Sequence, residues 1–280
     1  MDIASISVYP VASRQILVEW RLEEATAPGD YLFWIERANS PEGPWESLTP
    51  IPLVNQFFHV DRKSVYLSKE PHLYYRLKVR APDGEECTSR PKDLLRNLER
   101  KQFLQAREVI RKEILRFRKF AGIRVLILKK KHFGRKCNEC IDQVTGYQID
   151  SLCLNCYGTR WEGGFEPPIE AWLERGPMDN NKALGGSGWM TEDFEGQVRA
   201  VAYPLFTRDD IVVEAETNTR LRVLRISTAE LRTVPIVQIL TVRVIPRNEI
   251  EYKVIVDEHK HAQYDPYGKT HPRVQPEVLS

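Results

Sequence analysis

The sequence contains no run of about 18 apolar residues, the length a membrane-spanning helix needs, so no membrane partner is expected. Its start, MDIASISVYPVASRQILVEW, lacks the basic opening and continuous apolar stretch of a secretory signal, and a reducing compartment is expected. Catalytic patterns are also missing. There is no Gly-x-Ser-x-Gly elbow, no His-Glu-x-x-His, no Walker loop and no dinucleotide fingerprint. On a strand, the adjacent carboxylates Asp209 and Asp210 would face opposite sides, and Glu85 and Glu86 beside Cys87 disfavour a reactive thiolate. An enzymatic role has no motif to stand on, and no small-molecule substrate is expected.

Cysteine is scarce, five in 280 residues, but four fall in KCNECIDQVTGYQIDSLCLNC at 136–156. Cys137–Cys140 and Cys153–Cys156 are Cys-x-x-Cys pairs with 12 residues between the inner members. Each pair can form a knuckle that points two thiolates inward. Two facing knuckles complete the tetrahedral sulfur shell that zinc prefers, with Zn–S near ~2.3 Å. Two disulfides, a redox pair or a small iron–sulfur centre are the alternatives. Four protein ligands leave no open coordination position, so one structural zinc per chain is expected. The connecting IDQVTGYQIDSL can form a hairpin turning at Thr145-Gly146, too short to bury a core. Metal binding, roughly 10–16 kcal/mol in finger peptides, would supply the missing folding energy.

Residues 1–91 read as short strands. SISVYPV, QILVEWRL, YLFWIERA, FFHV and YYRLKVRA alternate or are rich in β-branched and aromatic residues, with turns at APGD, SPEG and APDGE. A β-sandwich is predicted. Trp20 on the second strand, SPEGPWESL leading to Trp45, and Tyr75, Leu77, Val79 and Ala81 before the Gly84 turn resemble a fibronectin type III module. That resemblance implies a binding or spacing module, with Trp20 and Trp45 in its core and Cys87 unpaired.

The period then changes. Over residues 92–122, Leu94, Leu95, Leu98, Leu104, Val109, Ile110, Ile114, Leu115 and Phe117 recur at helical spacing, predicting a long amphipathic helix ended by Gly122. The net charge of +2 hides a basic stretch: Arg100 to Lys136 holds 14 Lys/Arg against two Glu. Within it, Lys129, Lys130, Lys131, Arg135 and Lys136 are candidate nucleic-acid contacts, with Tyr147, Tyr157 and Trp161 available to stack on bases.

Residues 123–175 are expected to form the zinc-ribbon element, with IEAWLER as a short helix. Residues 176–194 read as a flexible loop, 195–258 as a small β-barrel, and 259–280 as an extended tail with His259, His261 and His271. The fold class expected is thus mainly β and multidomain.

Within the barrel segment, YPLFTRDDIVVEAETNTRLRVLRIS carries Asp210-Ile211-Val212-Val213, then Asn218-Thr219, then Arg222-Val223-Leu224. This pattern, with the cysteine ribbon ending in CYGT just upstream, resembles head-closure and head–tail connector proteins of tailed-bacteriophage necks. The resemblance implies a ring-forming virion protein, assembled in the host cytoplasm, that joins portal to tail. Its implied partners are copies of itself, portal and tail proteins, and packaged DNA. The alternative is a zinc-ribbon nucleic-acid adaptor that uses the basic helix and the Lys129–Lys136 region.

Overall fold

The computed structural model describes residues 3–12, 15–22, 28–61, 73–94, 99–142, 147–175, 195–201, 203–231 and 234–256. The loop expected at 176–194 and the tail with its three histidines lie outside them. The chain is mainly β. The strands before the helix are β1 (Ile3–Ala12), β2 (Gln15–Leu22), β3 (Leu32–Ala38), β4 (Glu46–Ser47), β5 (Leu53–Val54), β6 (Phe58–Asp61), β7 (Tyr74–Arg80), β8 (Glu86–Thr88) and β9 (Lys92–Asp93).

β1, β2 and β6 form one antiparallel sheet, and β3 and β7 are the centre of a second, edged by β4, β5, β8 and β9. The alternation in YYRLKVRA buries Tyr75, Leu77, Val79 and Ala81. With Ile6, Val8, Trp20, Phe33 and Ile35 they form one core shared by both sheets. The Tyr75 hydroxyl donates to Asp61 Oδ2 (2.9 Å), which also pairs with Arg37 (2.8 Å). Trp45, expected inside, is only half-buried. Arg76, which alternates with the inward Tyr75 and Leu77, places its guanidinium 4.2 Å over the Trp45 ring on the outer face.

The helix starts later than its period suggested. It is α1 (Arg100–Arg116), continued by a π-helical turn over Phe117–Ala121. Lys92 and Asp93 extend the sheet instead, because β7 offers open backbone groups beside Tyr74 and Tyr75. Leu94, in helical register by sequence, is buried in the two-sheet core. On α1, Ala106, Ile110, Ile114 and then Phe117 form an apolar stripe. That stripe packs on the two-sheet core and on Val201, Ile236 and Val237, so the helix wedges between the two halves of the molecule. Gly122 does end the helical run, but in extended conformation (φ −95°, ψ 143°). It is needed for close approach: a Cβ there would lie 2.3 Å from the Phe117 carbonyl oxygen and 3.0 Å from Trp172 Cβ.

β10 (Ile123–Leu128), β11 (Ile169–Arg175), β12 (Glu195–Val201), β13 (Ile211–Glu214), β14 (Arg220–Leu231) and β15 (Val234–Val244) close a barrel in the order β10-β11-β12-β15-β14-β13. It therefore draws two strands from outside residues 195–258. Without β10 and β11, strands β12 and β13 would each keep an unpaired edge. IEAWLER, expected as a helix, is β11: Ile169, Ala171 and Leu173 alternate inward at the period of a strand. Val125, Ile127, Val198, Val212, Leu221, Val223, Leu240 and Val242 complete the interior. On the outer side of β10, Leu126 and Leu128 are covered by Ile211, Val213, Ile245 and Val254, the last just after a 3-10 turn (Ile250–Lys253). Burial on both faces explains why IRVLIL is a nearly unbroken apolar run. No helix among the described residues is long and apolar enough to cross a membrane.

Gly122→Ala is expected to lower stability by about 1–3 kcal/mol through overpacking. Urea unfolding should show a reduced midpoint with an unchanged slope.

Candidate metal centre

The ribbon is an extension of the β10–β11 ladder. Past the barrel rim the two chains continue to pair through the Lys130–Phe165 and Lys136–Trp161 bridges. Backbone hydrogen bonds from Lys131 to Gly164 (3.1 Å) and from Glu162 to Arg135 (2.9 Å) stiffen this stem. The stem is tied sideways to the two-sheet unit, where the Arg135 guanidinium pairs with Asp30 and Gly29 N–H donates to Gly134 O (3.0 Å). That guanidinium holds the Asp30 carboxyl below its usual range. At the stem's end, Cys137 N–H donates to Arg160 O (2.9 Å) and Ile149 N–H to Cys140 O (2.7 Å). The Ile141–Gln148 bridge brackets the expected Thr145-Gly146 turn, which lies outside the described residues. Gly164 (φ 66°) lets the return strand pass close, since a Cβ there would meet Cys156 O at 2.7 Å.

These contacts bring together all four cysteines predicted as ligands. Their sulfurs lie within 4.8 Å of one another, all four residues are buried, and none forms a disulfide. Cys137 and Cys153 sulfurs are 3.7 Å apart and those of Cys140 and Cys156 are 3.2 Å apart. A tetrahedron of ~2.3 Å bonds has edges of about 3.8 Å, so the cluster has the dimensions to hold a metal ion. Burial, then the neighbouring sulfurs, push the Cys140 thiol well above its ordinary range, and burial also raises Cys153. Burial opposes ionisation of Cys137 too, but backbone N–H groups at Glu139 and Cys140 outweigh it and hold its pKa below the ordinary value. Among the described residues only Ile141 joins the four sulfurs in this buried cluster, which is close enough together to hold a metal ion.

The basic residues before the ribbon are placed differently from one another. Lys129 is 5% exposed, and its ammonium is bound by Asp210, by Leu205 O (2.6 Å) and by Thr207 Oγ1 (3.3 Å). Those three acceptors use all three of its N–H donors. Lys130 pairs with Asp209 (3.2 Å), Lys131 donates to Glu162 O (2.7 Å), Arg135 is held by Asp30, and Lys136 stands half-buried on the stem. Asp209 and Asp210 occupy a turn rather than a strand, and they do serve different partners. Tyr157 packs its ring 6.5 Å from Phe165.

Beside Lys129 lies a cleft of about 620 Å³ where the two-sheet unit, the barrel and the ribbon stem meet, lined in part by Glu19, Phe57, Lys129, Glu166 and Thr207. Glu19 is 3% exposed, and its Oε2 has no hydrogen-bond partner among the described residues. Burial raises its pKa from 4.5 to about 7 against the opposing pull of Lys129 and Arg21. Glu166 is likewise pushed up to about 7 by burial, against Lys131 and Lys129. Glu19 belongs to no recognisable motif, though its sequence context carries a signal. Residues 16–20, ILVEW, are all buried because β2 packs Ile16, Val18 and Trp20 into its own core while Leu17 packs on the barrel. A carboxylate inside such a doubly covered strand is unusual.

Comparisons with known protein families, with characterised proteins and with solved structures return no match.

Glu19 holds a proton in the folded state that it loses more readily when unfolded. Its contribution to stability is therefore full below pH 4.5 and is lost as pH rises to about 7, flattening above. The loss is on the order of 3 kcal/mol. Glu19→Gln should lack this slope, so the stability difference between the two proteins, measured by urea unfolding across that window, should itself fall by about that amount. Any metal-linked pH dependence is common to both and cancels.

Proposed function

We propose that this chain is a structural protein of a tailed-bacteriophage neck, a head-closure or head–tail connector subunit. It assembles as a ring in the host cytoplasm, joins portal to tail, and helps close the channel for packaged DNA in the virion. The observation that carries this reading is the β13–β14 hairpin of a closed barrel with a four-cysteine ribbon inserted between β10 and β11. The residue pattern that resembles the neck proteins runs along this hairpin. Asp210 sits buried at the head of β13, Asn218 takes a left-handed turn (φ 54°), and Arg222-Val223-Leu224 runs along β14.

The four cysteines hold one structural zinc. An all-sulfur tetrahedral shell is the environment zinc takes in closed sites, and it leaves no position for substrate. The N-terminal two-sheet unit is a fibronectin type III-like module that decorates or spaces, and catalysis has no place in this reading. The nucleic-acid adaptor has less to draw on, because Lys129, Lys130, Lys131 and Arg135 already have partners within the chain.

The test is to express the full chain with zinc, measure its metal content, and image it by negative stain with and without a portal-type ring. One zinc per chain is expected, with closed rings or ring-on-ring stacks, and Cys140→Ser should lose the metal. Monomers that retard DNA with a steep salt dependence, lost on neutralising Lys131 and Lys136, would replace this reading with the adaptor.

A further inference from the structure

Two exposed apolar patches of opposite charge stand on the surface of the described residues. The first is the ribbon tip. Tyr147 and Ile149 are 77% and 76% exposed, and Leu152 and Leu154 stand in solvent with them. From Cys137 to Thr159 the chain carries Glu139, Asp142 and Asp150 and no Lys or Arg. Four thiolates on a divalent ion add two more net negative charges.

The second patch is the outer side of the helix end. Phe120 is 86% exposed in the π turn, with Lys119 and Ala121 exposed beside it and Lys112 and Val109 exposed on α1. Residues 100–121 hold eight Lys/Arg against Glu108 and Glu113, and those two are already engaged by Arg111 and Arg116. The helix end enters β10 and the ribbon stem leaves it, so the patches lie at opposite ends of that strand. Its six residues alone span about 20 Å at ~3.3 Å per residue.

Clustered exposed apolar side chains rimmed by charge mark a protein contact. Complementary patches at opposite ends of one chain suit a head-to-tail contact between copies, the heterologous kind that closes into a ring or grows into a filament. We infer that the acidic apolar ribbon tip docks onto the basic Phe120 end of the helix in a second copy of this chain. The contact rests on the self-assembling subunit proposed above and names the surfaces through which that assembly is made. Leu152 and Ile149 supply the buried centre with Phe120, while Asp150 and Glu139 face Lys119 and Lys112.

The experiment uses the full zinc-loaded chain in sedimentation velocity and negative stain over a range of concentrations and salt. Leu152→Asp and Phe120→Asp are made singly. Both residues are exposed, so metal content and unfolding should match the parent. Each change should weaken association about tenfold or more, and rising salt should weaken the parent. The decisive sample mixes the two variants: each keeps one intact patch, so the mixture should form discrete heterodimers and nothing larger. A photoreactive side chain placed at 120 should crosslink to the 147–154 peptide of another copy.

Assembly that ignores both variants, or a crosslink elsewhere, would overturn the inference and leave the neck reading intact. Open filaments that both variants disrupt would keep the contact and refute the ring. A parent that stays monomeric at every concentration would overturn the contact, and stacking on a portal ring would then decide the neck reading separately. Crosslinking at the ribbon tip only to a different basic protein would likewise overturn it.

Discussion

The buried ammonium of Lys129 is the fixed point from which three parts of this molecule take their positions. It sits where β10 leaves the barrel and the ribbon stem begins, and its acceptors come from the 205–210 segment that leads into β13. Asp210 in turn accepts from the Lys130 backbone (3.1 Å) and from the Thr207 hydroxyl (2.7 Å), so both sides of the pair are saturated. Breaking one side of such a pair leaves an uncompensated buried charge, at a cost of about 3–5 kcal/mol. Glu19 of the two-sheet unit lies close enough to feel this ammonium without a hydrogen bond from it. The junction is thus held by a satisfied ion pair, and burial raises the pKa of a carboxyl beside it.

Around that point the parts are stabilised by different physics. The two-sheet unit and the barrel each bury an apolar interior, and α1 joins them by burying one stripe against both. The ribbon cannot do this. Among the described residues its buried cluster is four cysteines and Ile141, close enough together to hold a metal ion and carried on the hydrogen-bonded stem. The apolar side chains of Ile149, Leu152 and Leu154 at its tip stand outside that cluster, exposed to solvent.

The same division bears on function. The basic charge that dominates the sequence between residues 100 and 136 is separated in space: the part before the ribbon is drawn into internal pairs, while the helix keeps an exposed basic face. The tip beyond it is acidic. In the contact between copies proposed above, these opposite charges face each other.

Much of this was legible in the sequence because the signals are local. Cys-x-x-Cys spacing is a geometric statement about a few residues, and the four ligands came together as that spacing requires. The alternation of β7 and the apolar stripe of α1 are periodic and short-range in the same way. What failed depended on partners far along the chain. Lys92 and Asp93 joined a sheet because β7 had an open edge, and IEAWLER became a strand because a barrel lacked two members. Lys129 counted as one more surface cation until Asp210, 81 positions away, took it inside, and Glu19 gained its raised pKa only when the barrel covered the outer face of β2. Side-chain type and spacing determine what a residue can bind. Only tertiary packing decides which groups leave water, and the cost of leaving water sets the charge state of each buried group and the partner it keeps.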